Sequence, residues 1–156
     1  MRFSALILSL LLLSAFLVPA SALEVEGPGR CLRCGMDRVR FARSCALVLY
    51  ADGGSAGTCS LHCALEEMGR NQARPVARLK VADYRTRVLL DAERAVWVVG
   101  GDLKGVMTSP AKWAFSDETS AEGFLKEHGG KVLPYPEVTR QVLEEIKEMN
   151  QPAEME

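Results

Sequence analysis

The chain has 156 residues, of which 48% are hydrophobic, 25% charged and 6% aromatic, and its formal net charge is -1. That length holds one small domain or two very small ones, the apolar content excludes a disordered chain, and the near-neutral charge supplies no drive toward nucleic acid or an anionic membrane. Sulfur is the distinctive component: five cysteines and six methionines, which serve as core filling, a disulfide framework or a metal site.

In chain order, Met1-Arg2-Phe3 is a short positive start, the run from Ala5 to Val18 is almost wholly apolar, and Pro19-Ala20-Ser21-Ala22 ends in a small-x-small pattern. This predicts a signal peptide over 1–22, cleaved after Ala22, because the apolar run falls short of the roughly 20 residues that span a bilayer. The mature chain is then expected to be soluble or peripheral, periplasmic or secreted. Its cysteines (Cys31, Cys34, Cys45, Cys59, Cys63) all lie after the cleavage point and meet an oxidising compartment. Their number is odd, so at least one is free, metal-bound or paired with another chain.

Residues 23–75 read as a first β-β-α module. A Gly/Pro-bearing leader precedes the Cys31-Leu32-Arg33-Cys34-Gly35 turn, and Ala46 to Tyr50 is a buried strand. Asp52-Gly53-Gly54-Ser55 then turns the chain into a return strand around Gly57 to Cys59. Ser60 is placed to cap a helix from Leu61 to Met68 that Gly69 would end. Residues 76–136 form a second module: strands at Val76 to Val81 and Thr86 to Leu90, then Val96-Trp97-Val98-Val99, a Gly100-Gly101-Asp102 break, a return strand at Trp113-Ala114-Phe115, and a helix capped by Ser116-Asp117 or Ser120 and closed by Gly129-Gly130. Val132-Leu133 is a short strand. Residues 137–156 form a C-terminal helix and tail, with Val138, Val142, Ile146 and Met149 as one apolar stripe. The fold class is α+β, two small treble-clef-like β-β-α modules in tandem with a C-terminal helix.

The chemistry lies in the spacing of sulfur. Cys31-x2-Cys34 and Cys59-x3-Cys63 are two close pairs that a hairpin and the start of a helix bring together, the geometry of a metal site. The helix start also favours thiolate. In an exported chain the competing reading is a pair of disulfides. Met36, two residues from Cys34, and Met107, in the Gly105-Val106-Met107-Thr108 loop, add thioethers, and thiolate with thioether selects Cu(I) over harder ions. Each methionine alone is explained by packing. His62, between the second cysteine pair, could ligate or face solvent; His128 suits a helix C-terminus; Cys45 reads as a buried thiol. A cysteine enzyme with Asp83 as acid ranks below these readings, because no Cys-His-Asp arrangement is recognisable. The chain is therefore expected not to be an enzyme.

With these motifs the chain resembles the NosL family of copper-binding proteins that assist maturation of nitrous oxide reductase. The likeness covers most of the mature chain and rests on Cys31-Leu32-Arg33-Cys34-Gly35-Met36, Asp52-Gly53 followed by Cys59-Ser60, Val81-Ala82-Asp83-Tyr84, Ala95-Val96-Trp97-Val98-Val99-Gly100 with Met107 downstream, Trp113-Ala114-Phe115, and Ala121-Glu122-Gly123-Phe124 leading to Gly129-Gly130. The resemblance implies Cu(I) bound by soft side chains, with Cys34, Met36 and Met107 carried over as ligands and Cys31 close behind. It further implies delivery of that copper to the apo-enzyme of nitrous oxide reductase together with a membrane ABC-type maturation complex, so that membrane association is peripheral, through the partner. Two features depart from the pattern. Many members are lipoproteins, whereas this signal ends in Ala20-Ser21-Ala22, and the full set of Cys31, Cys34, Cys59 and Cys63 suits a second or different metal, Zn(II) being the alternative ion. A structural zinc-binding or disulfide-stapled interaction module is the alternative function.

Overall fold

A computed structural model describes residues 25–151; the predicted signal peptide and the residues after Gln151 lie outside them. Ala46–Tyr50 (β1) and Ser55–Thr58 (β2) form an antiparallel hairpin in which Leu47 faces Gly57 and Val48 faces Ala56. The turn forms because Asp52 Oδ1 accepts from Gly54 N at 2.8 Å and Gly53 takes the left-handed conformation that Asp-Gly sequences favour. Helix α1 (Leu61–Arg70) follows, its N-cap Ser60 accepting from Cys63 N. Gly69 does not end it. Asn71 does, through its own N–H and an amide Nδ2 that donates to Glu67 O at 3.0 Å and to Glu67 Oε1 at 2.7 Å.

A two-stranded hairpin is marginal alone, and β1 carries buried side chains along its length. Its free edge takes β3 (Val76–Ala82), and β3 takes β4 (Leu89–Asp91), giving a four-stranded antiparallel sheet in the order β2-β1-β3-β4. These strands, assigned from sequence to the second module over 76–136, pair within the first sheet. The second sheet, β6-β5-β7, joins Val96–Val99 (β5) to Lys112–Phe115 (β6) and Lys131–Leu133 (β7). Helix α2 (Glu118–His128) packs on it, capped by Asp117 Oδ1 accepting from Ser120 N at 2.7 Å and closed by Gly129 at φ 74. Helix α3 (Tyr135–Asn150) starts two residues earlier than predicted. The architecture is thus two β-β-α-like modules in tandem with a C-terminal helix.

One apolar core runs through both modules, uniting Val48, Leu79 and Val81 of the first sheet with Trp97 and Val99 of the second and Val138 and Val142 of α3. The predicted stripe of α3 is followed at Val138, Val142 and Ile146 but not at Met149, which is 59% exposed. The buried Lys112–Glu145 pair ties α3 to β6. Asp83 latches the sheets together: its Oδ1 accepts from Arg85 N, Thr86 N and Thr86 Oγ1, and its Oδ2 from Ser116 N at 2.6 Å, while Tyr84 N donates to Ala114 O. Burial works to raise the Asp83 pKa, but the Thr86 and Ser116 donors outweigh it and the net direction is down. A carboxylate held ionised in this way latches structure and is unsuited to act as an acid.

Candidate metal centre

The first cysteine pair sits on a tight knuckle. Cys31 N donates to Met36 O at 2.8 Å, Gly35 N to Cys31 O at 2.9 Å, and Gly35 supplies the positive φ of 73 that the turn needs. Leu32 N donates to Gly57 O at 2.9 Å, fastening the knuckle to β2. Arg33, inside the pair, reaches α1, where its Nη2 lies 3.0 Å from Glu66 Oε1 and its Nη1 3.9 Å from Glu67 Oε2. The second pair straddles the cap of α1: Cys59 precedes Ser60, and Cys63 is the third helical residue.

These elements bring Cys31, Cys34, Cys59 and Cys63 together, with all four sulfur atoms within 4.8 Å of one another. Cys59 Sγ lies 3.5 Å from Cys34 Sγ and 3.7 Å from Cys63 Sγ, and Cys63 Sγ lies 3.9 Å from Cys34 Sγ. A tetrahedral ion with sulfur arms of about 2.3 Å spaces its ligands about 3.8 Å apart, so the donor set fits a metal. A disulfide brings its sulfurs to about 2.05 Å, well inside these separations, and none of the described cysteines is bonded to another. The thioether of Met36 joins the group, its Sδ 3.8 Å from Cys59 Sγ. Cys31, Cys59 and Cys63 are buried and Cys34 is exposed, so the cluster is closed on the protein side and open at one ligand.

Met107 is not in this group. It is 41% exposed at a positive φ of 58 and lines an open groove with Thr108, Glu145 and Met149; its neighbour Val106 packs on the cysteines. His62 neither faces solvent nor meets the sulfurs. It is 3% exposed, its Nδ1 has no hydrogen-bond partner, and it lines a small cavity with Glu66 and Met149. Burial lowers its pKa. Cys45 is the buried thiol expected, its pKa raised by burial. His128 Nδ1 lies 2.9 Å from Asp102 Oδ1 at the end of α2.

A residue not singled out from sequence supports the knuckle from below. Arg38 is fully buried and has no carboxylate partner among the described residues, and its guanidinium donates to four backbone carbonyls: Thr58 O at 3.0 Å, Ala46 O at 3.1 Å, Glu26 O at 3.0 Å and Pro28 O at 2.5 Å. It joins the leader, β1 and β2 beneath the cysteines. In Asp37-Arg38-Val39-Arg40 nothing distinguishes this arginine from its neighbour.

The thiols are electrostatically unequal. Hydrogen bonding from Cys63 above all, then from Cys34, Cys31 and Ser60, holds Cys59 down to about 6 against the opposing effect of burial. Cys63 is pushed up, first by its hydrogen bond to Cys59 and then by burial; burial is also the largest cause raising Cys34 to about 11. Cys59 is therefore the thiol of the cluster that gives up its proton most readily. For metal-free protein the sign follows by linkage. A pKa depressed from the ordinary 9.0 to about 6 at Cys59 adds stability that is lost as pH falls from 9 through 6. The raised pKa values at Cys34 and Cys63 add stability below pH 9 that is lost above it. Thermal unfolding of the chelator-treated, reduced protein is expected to show a melting temperature that climbs between about pH 6 and 9 and falls beyond; a monotonic profile through pH 9 contradicts this charge distribution.

Residues 22–143 match the NosL family model. Over 61 residues the chain is 38% identical to the copper-binding lipoprotein NosL of Stutzerimonas stutzeri, an alignment covering 39% of this chain and 32% of that protein. The chain thus spans about a third of the length of that relative. The crystal structure of the copper chaperone NosL from Shewanella denitrificans superposes with a TM-score of 0.57 at 22% identity, covering 78% of this chain and 98% of that one, a likeness of fold.

Proposed function

This chain belongs to the NosL family, and from that premise we propose that it is an exported Cu(I)-binding accessory protein, a carrier without turnover of its own that delivers copper for assembly of nitrous oxide reductase. The observation that carries the reading is the thioether of Met36 at 3.8 Å from Cys59 within a group of thiols. Thiolate with thioether is a soft donor set that retains Cu(I) and discriminates against oxygen-seeking ions. The proposed metal residues are Cys31, Cys34, Met36, Cys59, Cys63 and Met107. Cys34 is the exposed ligand at which exchange into a partner begins, and Met107, which lies outside the sulfur group, is an exposed thioether one residue past the Val106 that packs on the cluster, and would add a last soft donor from its loop. The receiving partner on this reading is the apo-enzyme with its ABC-type maturation complex, outside the cytoplasm. Among the described residues no helix is long and apolar enough to cross a membrane, which suits peripheral association through the partner.

A second reading has a specific observation in its favour. The three sulfur separations of 3.5, 3.7 and 3.9 Å lie close to the edges of a tetrahedral four-thiolate site, the usual donor set of structural Zn(II). Metal analysis of protein prepared without air, followed by Cu(I) and Zn(II) competition against a calibrated chelator, separates the two. The carrier reading expects about one exchangeable Cu(I) per chain, with affinity falling about tenfold or more in Cys34→Ser and in Met107→Ala. Unchanged affinity in both variants, or Zn(II) that Cu(I) does not displace, rejects it, and a thiol count showing two disulfides points to a stapled scaffold.

A further inference from the structure

Next to the sulfur cluster lies a cleft of about 300 Å³ lined by Arg40, Arg43, Arg87 and Lys104, with Phe41, Val106 and Trp113 among its apolar walls. Its charge is one-sided. No aspartate or glutamate lines it, and among the described residues none of the four cations forms an ion pair. Two of the guanidiniums are held over aromatic faces: Arg40 lies 5.8 Å from the centroid of Phe41 and Arg43 5.0 Å from that of Tyr84, and Arg43 also donates to Tyr84 O.

A second observation is independent of these charges. Trp113 is 6% exposed, and its indole Nε1–H is buried without an acceptor. A buried donor left unmatched is costly, and native structures rarely keep one without an ion, water or ligand to receive it. The other tryptophan shows the ordinary arrangement, Trp97 Nε1 donating to Ala92 O at 2.9 Å. The cleft therefore gathers four cations around a wall that includes Trp113, whose buried N–H is unmatched, a setting that calls for an anion.

We infer that this cleft is an anion-binding site that receives the carboxylates of an acidic segment on the protein with which this chain exchanges metal. The anion site stands on the cleft alone; the identity of the partner as metal acceptor rests on the function proposed above. Continuity with the metal centre argues for a protein segment. Phe41 and Val106 line the cleft and also pack against Cys31, Cys59 and Cys63, so a chain docked there stands beside the sulfurs from which it would take an ion. Arg40, Arg43 and Lys104 are exposed and come from two separate stretches of chain, which suits several carboxylates in a row. Complementary charge at such a rim raises the encounter rate and fixes orientation, and weakens with salt.

The test uses the nitrogen-labelled reduced chain, titrated with a hexaglutamate peptide and separately with inorganic phosphate, and read at the two indole N–H resonances. The expected result is a saturable, salt-sensitive shift at Trp113 with Trp97 unmoved, and peptide affinity about tenfold or more weaker in R40E/K104E. Absence of a Trp113 shift, or equal peptide affinity in R40E/K104E with Trp97 reporting a folded protein, overturns the anion site. Phosphate that saturates the same shift at or below the peptide concentration assigns a small-anion site and overturns the partner segment. Cu(I) competition on the same samples keeps the two readings apart: peptide bound by a chain that holds no Cu(I) rejects the carrier function and leaves the anion site in place.

Discussion

Cys59→Ser is expected to reduce Cu(I) affinity by at least about 100-fold, or ~2.7 kcal/mol, the largest loss from any single change at the metal centre. Cys59 is fully buried and is the most connected sulfur of the cluster, 3.5 Å from Cys34, 3.7 Å from Cys63 and 3.8 Å from the Met36 thioether. It is also the thiol whose neighbours hold its pKa down to about 6, so it is the sulfur whose proton a metal displaces most easily. A serine hydroxyl keeps the size approximately but is hard, neutral and a poor partner for a soft ion. Cys45→Ser is the matched control. That thiol is buried at 1% exposure, away from the cluster, and its replacement is expected to cost stability by ~1 kcal/mol while leaving the Cu(I) stoichiometry intact. Competition against a calibrated chelator reads both variants; wild-type affinity in Cys59→Ser would remove this cysteine from the ligand set.

Arg38→Met is expected to destabilise the fold by about 3–5 kcal/mol, the largest effect expected outside the ligands themselves. The guanidinium is the shared donor for Glu26 O, Pro28 O, Ala46 O and Thr58 O. Its removal strands carbonyls in a region from which water is excluded and uncouples the leader from the first hairpin. The cradle leaves no room for adjustment: a side chain at Gly57 would place its Cβ 2.6 Å from Arg38 Nη1, so Gly57→Ala is expected to lower stability in the same direction. Thermal unfolding with and without metal measures the effect. The loss is expected in both states, because the four carbonyls belong to the fold and not to the ion, and a melting temperature unchanged in the metal-free protein would show that they find other donors.

The local elements were largely legible in the chain because their determinants are local. The continuous apolar run at Ala46–Tyr50, the Asp52-Gly53-Gly54 turn, the Ser60 cap and the Gly129 closure each act within a few residues, which is the range over which sequence pattern carries information. Local signals are overridden by the next residues along the chain, by a partner strand or by the edge of the core. Gly69 looked like a stop, but the Asn71 amide bonded to Glu67 and carried α1 further. Val76–Ala82 looked like part of the second module, yet it pairs with β1, the strand whose open edge most needed covering. Met149 kept the spacing of a core stripe and nevertheless ended in a groove, because the core beneath α3 ends before it.

The candidate site divides in the same way. Spacing by itself determined that Cys31 with Cys34, and Cys59 with Cys63, could each converge, since a two-residue knuckle and the start of a helix bring such pairs together whatever surrounds them. Only the tertiary structure decided that the two pairs share one centre, that Met36 joins it while Met107 stands apart, and that His62 is buried facing away from it. It also decided which arginines matter. Arg38 and Arg40 are two residues apart and alike in composition, yet one is enclosed by four carbonyls and the other lines an open cationic cleft. Chain geometry dictates which ligands a short segment can present. The dielectric surroundings, the partners and the neighbours of each charge come from segments tens of residues away, and those are settled only when the sheets and α3 close on their common core.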